Sequence, residues 1–328
     1  MGLGQVWAGS VAADMNSSVD SRPSVSVIIP TWNGAQWLDR LLSGLERQTL
    51  VPDEILVVDS GSTDDTRGIA RRHNVRLKEI APEEFDHGGT RTMAAGLVSG
   101  EILVYMTQDA VPAAGDALEF LLQPFSQNEK IAATYGRQLA NRDATIFSEH
   151  LRLHNYPGLS EVRCWQDRSQ FGFKTIFISN SFAAYRRDVL AAHGFFPKRL
   201  LFGEDTLTVA KLLESGYCVA YVSNAGVYHS HNYSILQDFK RYFDIGVFHV
   251  DQAEQLMKFG GLGGAGRRYV RSEITMLLAR KKYYLFPECV MRNLGKFIGY
   301  KLGKHYNILP RCCAERLSMH RSWWSSQI

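Results

Sequence analysis

Asp109 closes the segment GEILVYMTQDAVP, just beyond the apolar run Ile102-Leu103-Val104-Tyr105-Met106. A short apolar run bounded by turn-formers reads as a buried strand, and open α/β sheets bind ligands at the carboxyl ends of their strands. A carboxylate there suits a metal-assisted site, although alone it is equally an Asp turning the chain ahead of Pro112. Asp59 ends a second such run, EILVVD, and leads into Ser60, Gly61 and Ser62, whose short side chains let backbone amides approach a ligand. Asp59 can accept from a base N–H or a sugar hydroxyl, while Thr63 or Asp64 can cap the following helix. Arg91, in FDHGGTRTMAAG near a helix start, can pair with phosphate or a base edge, or simply face solvent. Glu204 and Asp205 open GEDTLTVAKLLESGY, where a carboxylate can serve as general base or merely complement a helix dipole. His229 and His231 lie in VYHSHNYS, past a predicted strand. A lone His is more often structural than a ligand; His229 is read as a metal-ligand candidate and His231 is not.

These residues must be held by elements that the pattern predicts. Strand-like runs fall at 24–30 (SVSVIIP), 54–59, 75–80 (VRLKEI) and 101–106, separated by helix-like AQWLDRLLSGLERQ, TDDTRGIARRH and TRTMAAGLVS. Strand and helix in alternation imply a mostly parallel sheet covered on both faces. Beyond Leu121 the rhythm loosens, with a strand at 131–135, a polar stretch at 141–170, the apolar segment TIFISNSFAAYRR, and a strand at CVAYVS. From Ser234 the pattern is helical, interrupted by GGLGGAG at 260–266, which reads as a hinge or a helix-to-helix turn.

Charge and cysteine content narrow the function classes. Of the net +4, residues 267–328 contribute +10, from 13 Lys or Arg against three acids, leaving −6 on the preceding 266 residues. Aromatics interleaved with those cations (Phe286, Phe297, Trp323, Trp324) suit an anionic membrane surface; a helical cap packed on the catalytic domain or on a second subunit is the equal alternative. No stretch approaches a membrane span, and residues 1–22 read as a loose tail without a signal-peptide pattern. Five cysteines without C-x-x-C spacing favour neither a zinc ribbon nor a disulfide framework, which makes a reducing, cytoplasmic compartment the default.

PTWN, DSGSTD, the TQD before Val111-Pro112 and the ED of FGEDT, in that order, resemble the family 2 glycosyltransferases of GT-A fold. The resemblance covers roughly residues 24–235 and implies an α/β nucleotide-diphospho-sugar transferase fold with a helical carboxyl-terminal extension. FDHGGTR, YMTQDA and VYHSHNYS further resemble the rhamnosyltransferase branch, which uses dTDP-L-rhamnose to build bacterial surface polysaccharide. Carried over by position, the resemblance implies that Thr31, Asp59, Arg91 and Gln108 bind the donor nucleotide. It implies that Asp109 and His229 hold a divalent cation, Mg²⁺ or Mn²⁺, that Asp205 is the base of an inverting transfer, and that Glu204 positions acceptor or loop. Two departures stand out: Thr107 replaces the first acid of the D-x-D motif, and Thr92 replaces the Asn that usually follows the Arg.

The expected organisation is a tail over 1–22, a catalytic domain over 23–235 and a basic helical region over 236–328. The expected partners are a dTDP-sugar, a glycan or lipid-linked acceptor and an anionic membrane surface at the cytoplasmic face of the inner membrane, with no nucleic acid and with oligomerisation left open. The rival readings are a transferase using a UDP-hexose and a non-catalytic nucleotide-binding scaffold.

Overall fold

The computed structural model describes residues 22–260 and 264–325. Residues 1–21 of the expected tail and the centre of the GGLGGAG break lie outside them. A nine-stranded mixed sheet runs β3-β2-β1-β4-β8-β6-β9-β5, with β7 on the flank of β9. The strands are β1 (Val25–Thr31), β2 (Glu54–Asp59), β3 (Arg76–Glu79), β4 (Ile102–Met106), β5 (Val111–Pro112), β6 (Ile131–Leu139), β7 (Glu161–Cys164), β8 (Phe182–Arg186) and β9 (Cys218–Tyr228).

The amino-terminal half is the parallel unit the sequence implies. β1 lies between β2 and β4, all three parallel, and every residue of β4 is buried, as expected for a strand with helices on both faces. The helices α1 (Ala35–Glu46), α2 (Thr66–Arg72) and α3 (His87–Ala95) connect these strands. Leu38, Leu41, Leu42 and Leu45 recur at helical spacing and bury the inner face of α1. α3 starts three residues earlier than TRTMAAGLVS suggests, because the Asp86 carboxylate accepts from the Gly89 N–H and caps it. The order β3-β2-β1-β4 reverses between β1 and β4, which creates the crevice where such sheets take ligands.

Beyond β4 the pairing is mixed: β8 joins both β4 and β6 antiparallel, and β9 joins β6 parallel. The polar stretch at 141–170 is structured, containing α4 (Ile146–Asn155) and β7. β7 pairs antiparallel with β9 so that Cys164 stands opposite Cys218, and the two form a disulfide. This corrects the expectation from cysteine spacing, because register across the sheet joins residues 54 apart in sequence.

α5 (Glu204–Glu214) precedes β9, and the helical region beyond is built on α6 (Ile235–Asp251), α7 (Ala265–Ala279) and α8 (Phe286–Lys304). Ser234 and Gln237 form a reciprocal capping box at the start of α6. α8 crosses α6 on a seam of glycines, where a Cβ on Gly299 or Gly303 would collide with the carbonyl oxygens of Phe239 and Phe243. Arg292 of α8 ion-pairs with buried Asp238 of α6 at 2.7 Å. Among the described residues no helix is long and apolar enough to cross a membrane.

Candidate active site

Three groups of side chains meet at the carboxyl ends of β1, β2, β4 and β9. In the first, strand register sets Thr31 beside Asp59. Asp59 is fully buried; one oxygen accepts from the Ser62 N–H at 3.0 Å, and the other from the hydroxyls of Ser62 and Thr31. Its carboxylate thus shapes the Ser60-Gly61-Ser62 loop as well as standing where a nucleoside is expected. The capping role foreseen from sequence falls to Asp64, which accepts from the N–H of Thr66 and of Ala35 and ties the starts of α2 and α1 together. Gln108 spans the β1–β4 crevice: its Oε1 accepts from the Trp32 N–H at 2.9 Å and its Nε2 donates to the Trp32 carbonyl at 3.1 Å. The Trp32 backbone is thereby fixed at the mouth, with the residue 61 % exposed.

The second group holds Asp109. β5 follows Asp109 immediately and pairs with the end of β9, Val111 opposite Tyr228, which brings Asp109 to the histidines. His229 Nε2 lies 3.4 Å from Asp109 Oδ1, and His231 Nε2 lies 3.7 Å from Asp109 Oδ2. One ligand atom from each of the three residues fits within 4.8 Å. The expectation that His231 stays out of the site fails: residues two apart on extended chain share one side, and both rings reach Asp109. Burial works against charge on Asp109, yet the hydrogen bond and charge of His229, then His231, and the Thr107 hydroxyl hold its carboxyl well below the ordinary range. Burial and neighbouring His229 push His231 down to about 4, which keeps it neutral and able to ligate. Gln138 Oε1 accepts from Arg152 at 2.6 Å and sits 2.9 Å from His229 Nδ1. An amide oxygen can only accept, so Nδ1 donates to it and Nε2 is the ring nitrogen that faces Asp109. One carboxylate and two imidazoles form a donor set that fits a divalent transition ion.

The third group is the acid pair at the head of α5. Glu204 is buried against Arg91 of α3, Nη1 to Oε1 at 3.1 Å, and accepts from Asn180 Nδ2 at 3.2 Å. Asp205 accepts from the Asn180 N–H at 3.1 Å and the Thr206 N–H at 2.7 Å. The adjacent carboxyls titrate apart. Burial opposes charge on Glu204, but the Arg91 guanidinium beside it holds it ionised. Burial, then the charge of Glu204, raises Asp205 to about 7. A carboxyl poised near neutrality beside an ionised partner is the arrangement a general base requires. The segment Ser179–Ser181 joins this pair to the metal-ligating group, since Ser179 Oγ accepts from Gln138 Nε2 and the Ser181 carbonyl accepts from the Thr107 N–H.

Residues 26–194 match the model for glycosyl transferase family 2. The chain belongs to that family. It is 41% identical over 307 residues to the O-antigen chain rhamnosyltransferase WbaN of Salmonella anatum, covering 93% of this chain and 96% of the relative. It is equally 41% identical over 304 residues to RfbN of Salmonella typhimurium, of the same description, covering 92% and 96%. Among solved structures it resembles a mannosyltransferase from Pyrobaculum calidifontis in complex with GDP-Man and Mn²⁺, with a TM-score of 0.56, 18% identity, and coverage of 94% of this chain and 86% of the other. It also resembles TarS of S. aureus, residues 1–349, with a TM-score of 0.51, 17% identity, and coverage of 87% and 91%. These structures share the GT-A fold.

Within this glycosyltransferase Thr31 lies with Asp59, and Asp109 with His229, while Arg91, expected on the donor nucleotide, pairs instead with Glu204 beside Asp205; the structure also adds several residues that sequence reasoning missed. Asn180 and Gln138 are neutral amides with no motif around them; only their partners reveal what they hold. Thr92, the departure from the family pattern, bonds to the backbone of Phe196 both as donor and as acceptor, which fastens α3 to the loop ahead of Glu204.

Proposed function

We propose that this glycosyltransferase moves L-rhamnose from dTDP-L-rhamnose, with inversion, onto a lipid-linked O-antigen intermediate at the cytoplasmic face of the inner membrane. The observation that carries the chemistry is the split pair at the head of α5: ionised Glu204 beside Asp205, whose proton affinity sits near neutrality. The sugar and the acceptor class are taken from the two Salmonella relatives that match nearly end to end.

In the proposed reaction Thr31, Asp59 and the Ser60–Ser62 loop shape the nucleoside pocket, with Gln108 holding the Trp32 backbone at its edge. Asp109, His229 and His231 hold the divalent cation, which when bound supplies positive charge against the donor diphosphate. The mixed donor set favours Mn²⁺ over the harder Mg²⁺. The unprotonated Asp205 takes the proton from the acceptor hydroxyl as that oxygen attacks the anomeric carbon opposite the departing diphosphate. Glu204 stays charged through Arg91, and so keeps the proton affinity of Asp205 high. A cleft of about 300 Å³ beside the metal-ligating group, lined by Arg137, Gln138, Arg152, Leu153, Tyr156 and Tyr228, offers cations and aromatic faces for an acceptor glycan.

The carboxyl-terminal helices supply the proposed membrane contact. α8 buries one face on α6 and leaves Val290, Leu294 and Phe297 exposed by 55 to 63 %, in line with Tyr283, Tyr284, Met291 and Ile298. Lys281, Lys282 and Lys301 flank this stripe, a combination suited to anionic lipid.

The deciding experiment is a nucleotide-sugar panel with lipid-linked acceptor, with and without Mn²⁺ or Mg²⁺. Metal-dependent release of dTDP from dTDP-rhamnose is expected. Release of UDP from a UDP-hexose instead would replace the donor assignment, and dTDP binding without any transfer would leave a scaffold.

A further inference from the structure

We infer that the carboxyl-terminal segment Ser318–Trp324 belongs to the catalytic apparatus as a clasp, which holds the loop 195–203 and through it positions Glu204 and Asp205. The loop is conformationally costly. Phe195 and Arg199 have φ of 57° and 60°, a left-handed backbone that non-glycine residues keep only where their surroundings over-determine it. The loop ends at Gly203, φ 81°, where a Cβ would press on the ring of Phe248 at 2.7 Å. Glu204 and Asp205 follow directly, so their placement depends on what fixes this loop.

It is gripped from two sides. On the inner side the Asp86 carboxylate accepts from the Arg199 N–H at 2.9 Å, and Thr92 bonds to the Phe196 backbone. On the outer side the Trp323 indole N–H donates to the Arg199 carbonyl at 3.0 Å, and Trp324 packs in one apolar cluster with Leu201 and Phe243. The segment itself is moored to α6, where buried Asp244 accepts from the Met319 N–H at 2.9 Å. It also reaches the other support of Glu204. The His320 ring meets the His87 ring edge-on at 5.6 Å, the His87 carbonyl accepts from Arg91, and Arg91 pairs with Glu204. The segment therefore touches both the loop that delivers the acid pair and the helical turn that holds its arginine.

The groups facing the acid pair are Arg91 and His87 of α3, Tyr185 of β8, Tyr156 after α4, and His320 of the clasp. Burial lowers both His87 and His320, the latter to about 4, so neither brings positive charge near neutrality. Opening the clasp lets water reach Asp205 and removes part of the burial that raises its proton affinity.

The test compares Asp244→Ala, which loses the mooring, Asp244→Asn, which keeps an acceptor for the Met319 N–H, and Trp323→Phe, which loses the indole donor. Asp244→Ala and Trp323→Phe should each lower kcat by on the order of 10- to 100-fold, with the KM for the donor changed less than about twofold. The pH midpoint of kcat should fall, and hydrogen exchange through residues 196–206 should accelerate. Asp244→Asn should stay close to the unmodified chain in all four. Unchanged exchange in both disruptive variants would overturn the clasp, and faster exchange with unchanged kcat and midpoint would overturn its positioning role. The inference rests on Asp205 as the base; exchange reads the clasp without turnover, so a chain that transferred no sugar would sink that assignment separately.

Discussion

Replacing Asp205 by Asn should abolish transfer and at the same time stabilise the protein at alkaline pH. Its carboxyl is raised from 3.8 to about 7, first by burial and then by Glu204. A group whose proton affinity is raised on folding contributes stability that is fully present below its unfolded value and is lost as the pH climbs through the folded one. The unmodified chain should therefore lose stability between about pH 4 and pH 7, and Asp205→Asn should not. A difference of about three units is worth at most ~4 kcal/mol. Asp205 is partly open to water, and Asn cannot accept from both the Asn180 and Thr206 amides with equal strength, so ~2 kcal/mol is the expected advantage at pH 8.5. Urea unfolding of both proteins at pH 4.5, 6, 7 and 8.5 measures it. Turnover should fall by about 10²- to 10⁴-fold for loss of the base, while dTDP affinity with Mn²⁺ should stay within about twofold. In the unmodified enzyme kcat should rise with pH through about 7. An advantage of Asp205→Asn that does not grow with pH, or transfer that survives the substitution, would refute the assignment.

Three further outcomes are expected. His231→Ala should weaken Mn²⁺ binding, measured by calorimetry on the protein with dTDP, and Asp109→Asn should weaken it more; unchanged affinity in His231→Ala would return that residue to a bystander. Gln138→Leu removes the acceptor that fixes the His229 tautomer and should cost about 10- to 100-fold in metal affinity while leaving the apo protein folded. The pair Leu294→Glu and Phe297→Glu, both on the exposed face of α8, should abolish sedimentation with vesicles containing phosphatidylglycerol but leave turnover on a soluble acceptor intact. Loss of binding to neutral vesicles alone would argue against the basic flank.

Much of the donor side is legible in sequence because parallel strands buried on both faces must be continuously apolar, so their ends are visible at Thr31, Asp59 and Met106. The residues that follow such ends are forced toward the ligand crevice, which is why Asp59 and Asp109 could be singled out before any coordinates. His231 belongs with His229 because residues two apart on extended chain share one side, and the segment after β9 carries both rings to Asp109. The Cys164–Cys218 bridge follows from β7 and β9 register, which pairs residues no spacing rule connects. Asn180 and Gln138 carry no charge and no motif, so their roles exist only in the partners that folding brings to them. The amphipathic character of the last hundred residues was evident, but which face is spent on α6 depends on where glycines permit close approach.

The glycine seam between α6 and α8 has a mechanical consequence. Because Gly299 and Gly303 lie against the backbone carbonyls of Phe239 and Phe243, the two helices have no side-chain layer between them that could shear or swing. Rotation of α8 would drive backbone into backbone, and buried Arg292 pins it to Asp238. The apolar stripe is thus rigidly oriented relative to the strand ends. If that stripe lies on a bilayer, the catalytic mouth stands at a constant height above the lipid, and the sugar it reaches is chosen partly by how far the growing acceptor extends.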